Sequence, residues 1–293
     1  MTENRYNPLN LFTSIIHVPH QSVFIKLRYF LLFMLVYSTV VGILDNAFDI
    51  VPANTSLGQF HLLFSFCLSI IIAFRINVAH IRWWEGRGYW GSLVNNCRNL
   101  AMKFNGYIGL NNDHDFKEYV AKLPLLLKHH LRDESEKCNK VMDELGITHN
   151  GVHLPNLLIQ TIINKIAHYR AINKISFEQF LAMDIHVLAM TDIIGGCEKI
   201  LYTPVPKGFS IFTRFALLFY MLIFPFGWVD SFGLFITPII MVIIYVLLGL
   251  EVIAEEMEEP FGVDYNDLPI DAIADRIDKH VNQIATMPGN AHN

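Results

Sequence analysis

Four apolar runs constrain this chain more than any other feature of its 293 residues. Tyr29–Leu44 holds 16 residues without a charge, Leu57–Phe74 holds 18 and ends at Arg75, Phe215–Val229 follows Arg214, and Ser231–Leu250 completes the set. A helix crosses the hydrocarbon core of a bilayer with about 20 mostly apolar residues, within a range of about 17–25. The second and fourth runs meet that length outright, and the other two meet it with their flanks. One such run alone could be a buried core helix; four in one chain predict four transmembrane helices. The composition agrees, with 53% hydrophobic and 17% charged residues where an average soluble domain has about 25% charged. A disordered, collagen-like or nucleic-acid-binding chain is excluded on the same grounds. The net charge of −5 offers no basic surface to nucleic acid or anionic lipid.

The first run does not read as a signal peptide, because the stretch before it is polar and no small-residue cleavage site follows. It is expected to be a retained membrane helix. All 22 Lys and Arg lie in the N-terminal segment, in the block Arg75–Arg214 or in the C-terminal tail, and none lies in the connection from Asp45 to Ser56. The positive-inside rule then places both termini and the middle block in the cytoplasm. The expected organisation is an N-terminal segment with two membrane helices (1–81), a cytoplasmic helical region (82–208), two further membrane helices (209–250) and a cytoplasmic tail (251–293). The four cysteines, Cys67, Cys97, Cys138 and Cys197, are too scattered for a disulfide framework or a zinc ribbon.

The cytoplasmic region reads as helical. Phe177, Leu181, Ile185 and Leu188 recur at a helical period, as do Ile273, Ile277, Val281 and Ile284 in the tail. The fold class expected is therefore an all-α membrane protein, four transmembrane helices continuous with a cytoplasmic helical bundle. Within the second run, Phe66, Ile70 and Phe74 recur every four residues and share one helix face. Ser65, Ser69 and Ala73, one residue earlier in each turn, make a face of small residues suited to close packing. Periodicity leaves two readings open. The bulky side chains face lipid or a partner helix, or they form a hydrophobic constriction where copies of the helix meet around an axis.

The residues after that run carry a more specific signal. Phe74-Arg75-x-Asn77 leads into Arg82-Trp83-Trp84-Glu85-Gly86-Arg87 and Trp90-Gly91. Tryptophans beside arginines suit a membrane–water interface. This stretch resembles the signature of the bestrophin family of ion channels. Further segments resemble that family in the same order: Gly195-Gly196-Cys197-Glu198-Lys199-Ile200, Thr203-Pro204-Val205-Pro206, Phe224-Pro225-Phe226-Gly227, Thr237-Pro238 and Ala254–Gly262. The resemblance implies a homopentamer around one central pore. It implies a neck of three side-chain rings at Phe66, Ile70 and Phe74, and a cytoplasmic restriction at Leu181, with Ile185 one turn on as the fallback. Arg75, Asn77, Arg82, Trp83, Trp84 and Glu85 belong to the signature, and Arg82 and the two tryptophans are expected to anchor the interface and not to touch ions.

The function expected is passive conduction of small monovalent ions in a prokaryotic inner membrane. Partners are the chain itself, the lipid bilayer and the ions. Animal bestrophins pass anions and a prokaryotic homologue favours cations; the short tail resembles the prokaryotic form. Asp45 and Asp49 in the basic-free connection tip the expectation slightly toward cations. No cofactor, no metal and no enzymatic activity are expected. Animal members bind calcium just after an Asn-Pro-Phe-Gly-like turn; here Val263 stands where they have a carboxylate, leaving Asp264 and Asp267. The acidic helix end, Glu251 with Glu255, Glu256, Glu258 and Glu259, is expected to be solvated or in contact with another subunit. The histidines, His17-x-x-His20 and His129-His130 among them, lack the clusters of a di-iron hydroxylase. The alternatives are a secondary transporter, disfavoured by the absence of repeats, and a membrane-bound metal enzyme.

Overall fold

A computed structural model describes residues 22–49, 55–149 and 151–288, and among these every regular element is helical. The polar N-terminal stretch with His17 and His20, and residues 50–54 of the first connection, lie outside them. The long helices are α1 (Ser22–Phe48), α2 (Thr55–Tyr107), α3 (His114–Leu131), α4 (Ser135–Glu144), α5 (Leu154–Ala171), α6 (Phe177–Tyr202), α7 (Lys207–Phe232), α8 (Ile236–Glu258) and α9 (Ile270–Thr286). The chain divides into two compact units. The first takes its described residues from Met1–Ile81 and from Val205–Glu258; the second comprises Arg82–Pro204 and Glu259 onward. The division falls within α2.

The first unit holds α1, the leading part of α2, α7 and α8. Its core takes Leu27, Leu31 and Met34 from α1, Leu68 and Ile72 from α2, Leu217, Tyr220 and Phe224 from α7, and Ile236, Ile240 and Ile244 from α8. Each set recurs at three or four residues, so each helix turns one stripe inward. Small residues bring the backbones close, as expected where lipid supplies no hydrophobic drive. A Cβ on Gly249 would sit 3.3 Å from Val23, and one on Gly58 would sit 3.4 Å from the Gly227 carbonyl. Polar groups inside are satisfied across helices. The Tyr37 hydroxyl donates to the Leu222 carbonyl at 2.8 Å, consistent with the cost of an unpaired group in hydrocarbon.

Asp230, the polar residue that separates the last two apolar runs, is not where the chain turns; the turn lies at Gly233. Asp230 remains inside α7, and a short 3₁₀ segment, Gly233–Phe235, leads into α8. Gly233 has φ +52° and ψ −136°, a conformation that a side chain resists. Four stretches are long and apolar enough to span a bilayer: Val23–Phe48, Ser56–Tyr107, Phe177–Tyr202 and Lys207–Glu258. The last contains both α7 and α8. The third is α6, which the sequence reading assigns to the cytoplasmic region. Its apolar residues Met183, Val187, Met190, Ile194 and Cys197 are buried in the core of the second unit, which is why length and hydropathy alone do not separate it from a span.

That second core is built on the rear of α2. Trp90, Leu93, Cys97, Leu100 and Phe104 follow one another at three and four residues and are fully buried. Phe104 stacks on Phe116 of α3 with centroids 3.7 Å apart, and α9 lays Ile273, Ile277, Val281 and Ile284 onto the same cluster. Ser176 and Gln179 form a reciprocal capping box that fixes the start of α6. Gly196 is required by packing, because a Cβ there would sit 2.3 Å from the Tyr89 ring. The four cysteines are free thiols. Burial pushes Cys97 up to about 12 and Cys138 up to about 11, so neither is a nucleophile at neutral pH.

Candidate functional site

The leading part of α2 has two opposite faces. His61, Leu68, Ile72, Arg75 and Ala79 are buried, and their steps of seven, four, three and four keep them on one seam against the first unit's core. Ile70 is two residues from both Leu68 and Ile72, about 200° round the helix. Phe66 and Phe74 flank it one turn away on either side. The three are exposed at 66%, 42% and 62% and belong to neither core. The sequence-derived triad therefore forms one continuous stripe on the face that the subunit leaves open. Exposure of this kind is common to a lipid-facing surface and to a lining between subunits. The serines beside the stripe are internally satisfied: Ser65 and Ser69 donate to the Leu62 and Phe66 carbonyls, each at 2.7 Å.

The second candidate restriction lies in the second unit. Leu181, Ile185 and Leu188 are exposed on α6, on the opposite face from Met183, Val187 and Met190. Lys103 donates to the Ala182 carbonyl at 2.8 Å, and His186 Nδ1 is 2.9 Å from Asn96 Oδ1. These contacts tie α2 to α6 along one flank of the exposed stripe.

One residue past Phe74, the guanidinium of Arg75 is buried, with 1% of its side chain exposed. Its Nε donates to Glu251 Oε2 at 3.2 Å, its Nη2 donates to Glu251 Oε1 at 3.4 Å, and its Nη1 pairs with Glu258. Arg214 joins from α7, with Nε 3.2 Å from Glu251 and Nη2 2.7 Å from Glu255. Lys26 of α1 reaches Glu256 at 2.8 Å. Four carboxylates of α8 thus pair with three cations, one from each of the other three helices of the first unit: Arg75 and Arg214 share Glu251, and Lys26 makes a separate pair with Glu256. This corrects the expectation for the acidic helix end: Glu251 and Glu256 are buried and paired within the subunit. The basic partners that take them up come from three other helices, 37 to 230 residues away in sequence, so local spacing gives no sign of them.

The signature residues from Arg82 onward serve the second unit's own architecture. Arg82 donates from Nη1 to the Thr203 carbonyl at 2.8 Å and from Nη2 to the Ile200 carbonyl at 2.6 Å, capping the C-terminus of α6 where carbonyls lack helical partners. Trp83 Nε1 donates to the Asn266 carbonyl at 2.9 Å. Glu85 accepts from Lys199 at 2.9 Å and from the Tyr89 hydroxyl at 3.1 Å. The Lys199 ammonium holds the Glu85 carboxyl below the usual carboxylate range. Trp84 and Asn77 are exposed. In the turn after Pro260, Asp267 accepts the Asp264 backbone N–H at 2.6 Å and so serves its own loop. Among the described residues, the one group of three or more donors able to converge on a metal is His130, His153 and Glu198 in the second unit, which the sequence reading did not bring together.

A family model described as Bacterial/Fungal Bestrophin protein matches residues 2–283 of this chain. The voltage-dependent anion channel-forming protein of a Nostoc species is 32% identical over 238 residues, 77% of each chain. That of a Synechocystis species is 31% identical over 234 residues, 76% of each. Among solved structures, a bacterial bestrophin homologue from Klebsiella pneumoniae superposes with a TM-score of 0.79 at 22% identity, covering 89% of this chain and all of that one. That last likeness is one of fold.

Proposed function

The chain belongs to the bacterial and fungal bestrophin family, and from that premise we propose that it is a homopentameric membrane channel for small monovalent ions. The observation that carries the proposal is the exposed stripe of Phe66, Ile70 and Phe74, opposite the seam by which α2 packs into its own subunit. A four-helix subunit encloses no aqueous path, so a conduction path is built between copies. Brought to a five-fold axis, the stripe makes three uncharged rings, a constriction of the kind that controls wetting. Leu181 and Ile185 form a second, cytoplasmic restriction. The Lys and Arg distribution puts both termini in the cytoplasm, and the inner membrane is the expected site.

Uncharged rings set no ion sign. Asp45 and Asp49, at the end of α1 and just beyond it, face a connection without basic residues and concentrate cations at the outer mouth; that is the reading we adopt. The opposite sign is favoured by one specific observation, that the Nostoc and Synechocystis relatives are named as anion channel-forming proteins. Purified protein reconstituted in liposomes tests both points. Ile70→Ala is expected to widen the dry constriction and raise ion flux severalfold; unchanged flux from an intact oligomer removes the neck assignment. Reversal potentials in asymmetric KCl and NaCl give the sign directly. Saturable counterflow would support a transporter instead.

A further inference from the structure

Three side chains that conduction does not use converge in the second unit. His130 stands in the last turn of α3, His153 is the N-cap of α5, and Glu198 lies on α6. Their donor atoms lie within 4.8 Å of one another. Glu198 Oε1 is 2.7 Å from His130 Nε2 and 2.6 Å from His153 Nε2, and the two imidazoles meet edge to face with centroids 4.7 Å apart. None is fully exposed: the side chains retain 19%, 35% and 21% accessibility for His130, His153 and Glu198. The two histidines open onto a cavity of about 640 Å³.

We propose that His130, His153 and Glu198 bind a borderline divalent cation of the Zn²⁺ type, with the fourth coordination position facing that cavity. Two imidazoles and a carboxylate are a known three-ligand set for zinc with one position left open. Zinc–ligand distances of about 2.0–2.2 Å put tetrahedral ligands roughly 3.3–3.5 Å apart. Each nitrogen–oxygen pair therefore opens by less than about 1 Å to admit the ion, within reach of side-chain rotation. Imidazole ligands select against Ca²⁺ and Mg²⁺, which favour all-oxygen shells.

The metal-free state has a defined proton arrangement. The Asn156 backbone N–H donates to His153 Nδ1 at 3.2 Å as the helix cap, so the neutral ring carries its proton on Nε2 and donates it to Glu198. Coordination through Nε2 requires that proton to leave and Nδ1 to gain one, with no net change in charge on the ring. The cap then opens. Metal binding thus exchanges one helix-capping hydrogen bond for a link between α3, α5 and α6.

The test is a titration of the full chain, stripped with chelator and purified in detergent, with ZnCl₂ by calorimetry and with CoCl₂ by visible absorption. The site predicts one saturable equivalent per chain, a tetrahedral Co²⁺ spectrum, no displacement by millimolar Ca²⁺ or Mg²⁺, and faster amide exchange at Asn156 when loaded. His153→Asn preserves the cap, since Asn is a strong N-cap residue, and removes the ligand. His153→Asn and Glu198→Gln should each weaken zinc binding at least about tenfold, with helical circular dichroism and elution volume unchanged. Should either variant lose its fold, His130→Asn supplies the same comparison. The proposal is overturned if the wild type shows no saturable binding, if folded variants bind as tightly as the wild type, or if Ca²⁺ displaces the ion at equal concentration.

Discussion

At position 75 a guanidinium leaves water beside two carboxylates. Such burial is repaid only by good geometry, and removing one partner of a buried pair costs about 3–5 kcal/mol because the other charge is stranded. Glu251→Gln leaves Arg75 to Glu258 and Arg214 to Glu255, so it is expected to cost about 1.5–3 kcal/mol through weakened charge-assisted hydrogen bonds, seen as a lower melting temperature in detergent, while Glu255→Gln, exposed and paired to Arg214, should cost about 1 kcal/mol or less. In the second unit, Arg132 and then Lys128 hold the Asp271 carboxyl down to about 2, at 2.7 and 3.0 Å. A depressed carboxylate stabilises the fold fully above its ordinary value near 3.8, and that contribution is lost as pH falls toward 2. Asp271 is over half exposed, so the pair is worth about 0.5–1 kcal/mol. Asp271→Asn should lose that much at pH 7 and flatten the acid limb of stability against pH. At this scale the sequence is a partial guide. The apolar triad on α2 is readable because its period lies within one helix. The Arg75 network and the His130–His153–Glu198 group are not, because each assembles residues from three or more helices.

Helix α6 separates what a motif marks from what packing demands. Its Gly195-Gly196 pair belongs to the family resemblance, yet only Gly196 meets an obstacle, the Tyr89 ring; a Cβ on Gly195 would meet nothing within 4 Å. Gly196→Ala should therefore cost about 1–3 kcal/mol through overpacking. Gly195→Ala, in an exposed helical position, should gain about 0.5–1 kcal/mol by reducing unfolded-state entropy. Thermal melts of the two single variants give opposite signs if this division is right. The same helix marks the limit of hydropathy as a guide. Its apolar content satisfies a span by length, but its buried stripe belongs to a core formed with α2, α3 and α5, and only the partners reveal that. The turn at Gly233 was also hidden, since Asp230 is the more polar residue but Gly233 is the one that tolerates the backbone geometry.

A single copy of this chain leaves the stripe on α2, and much of α1, uncovered. Lipid suffices for α1; the proposed function requires that other copies cover the stripe. Native mass spectrometry of the detergent-purified protein is expected to give five chains per particle, and a monomer that still conducts after reconstitution would contradict the assembly. How such a pore can change its width is limited by the charge network at the foot of the stripe. Arg75 adjoins Phe74 and is gripped from α8 by Glu251 and Glu258, and Glu251 is itself held by Arg214 of α7. A torque on α2 about its own axis would have to break several of these pairs at once. The helix is keyed like a shaft in its hub, so in the proposed pore the rings would change chiefly through χ rotations of Phe66, Ile70 and Phe74, and any larger opening would carry the leading part of α2 together with α7 and α8.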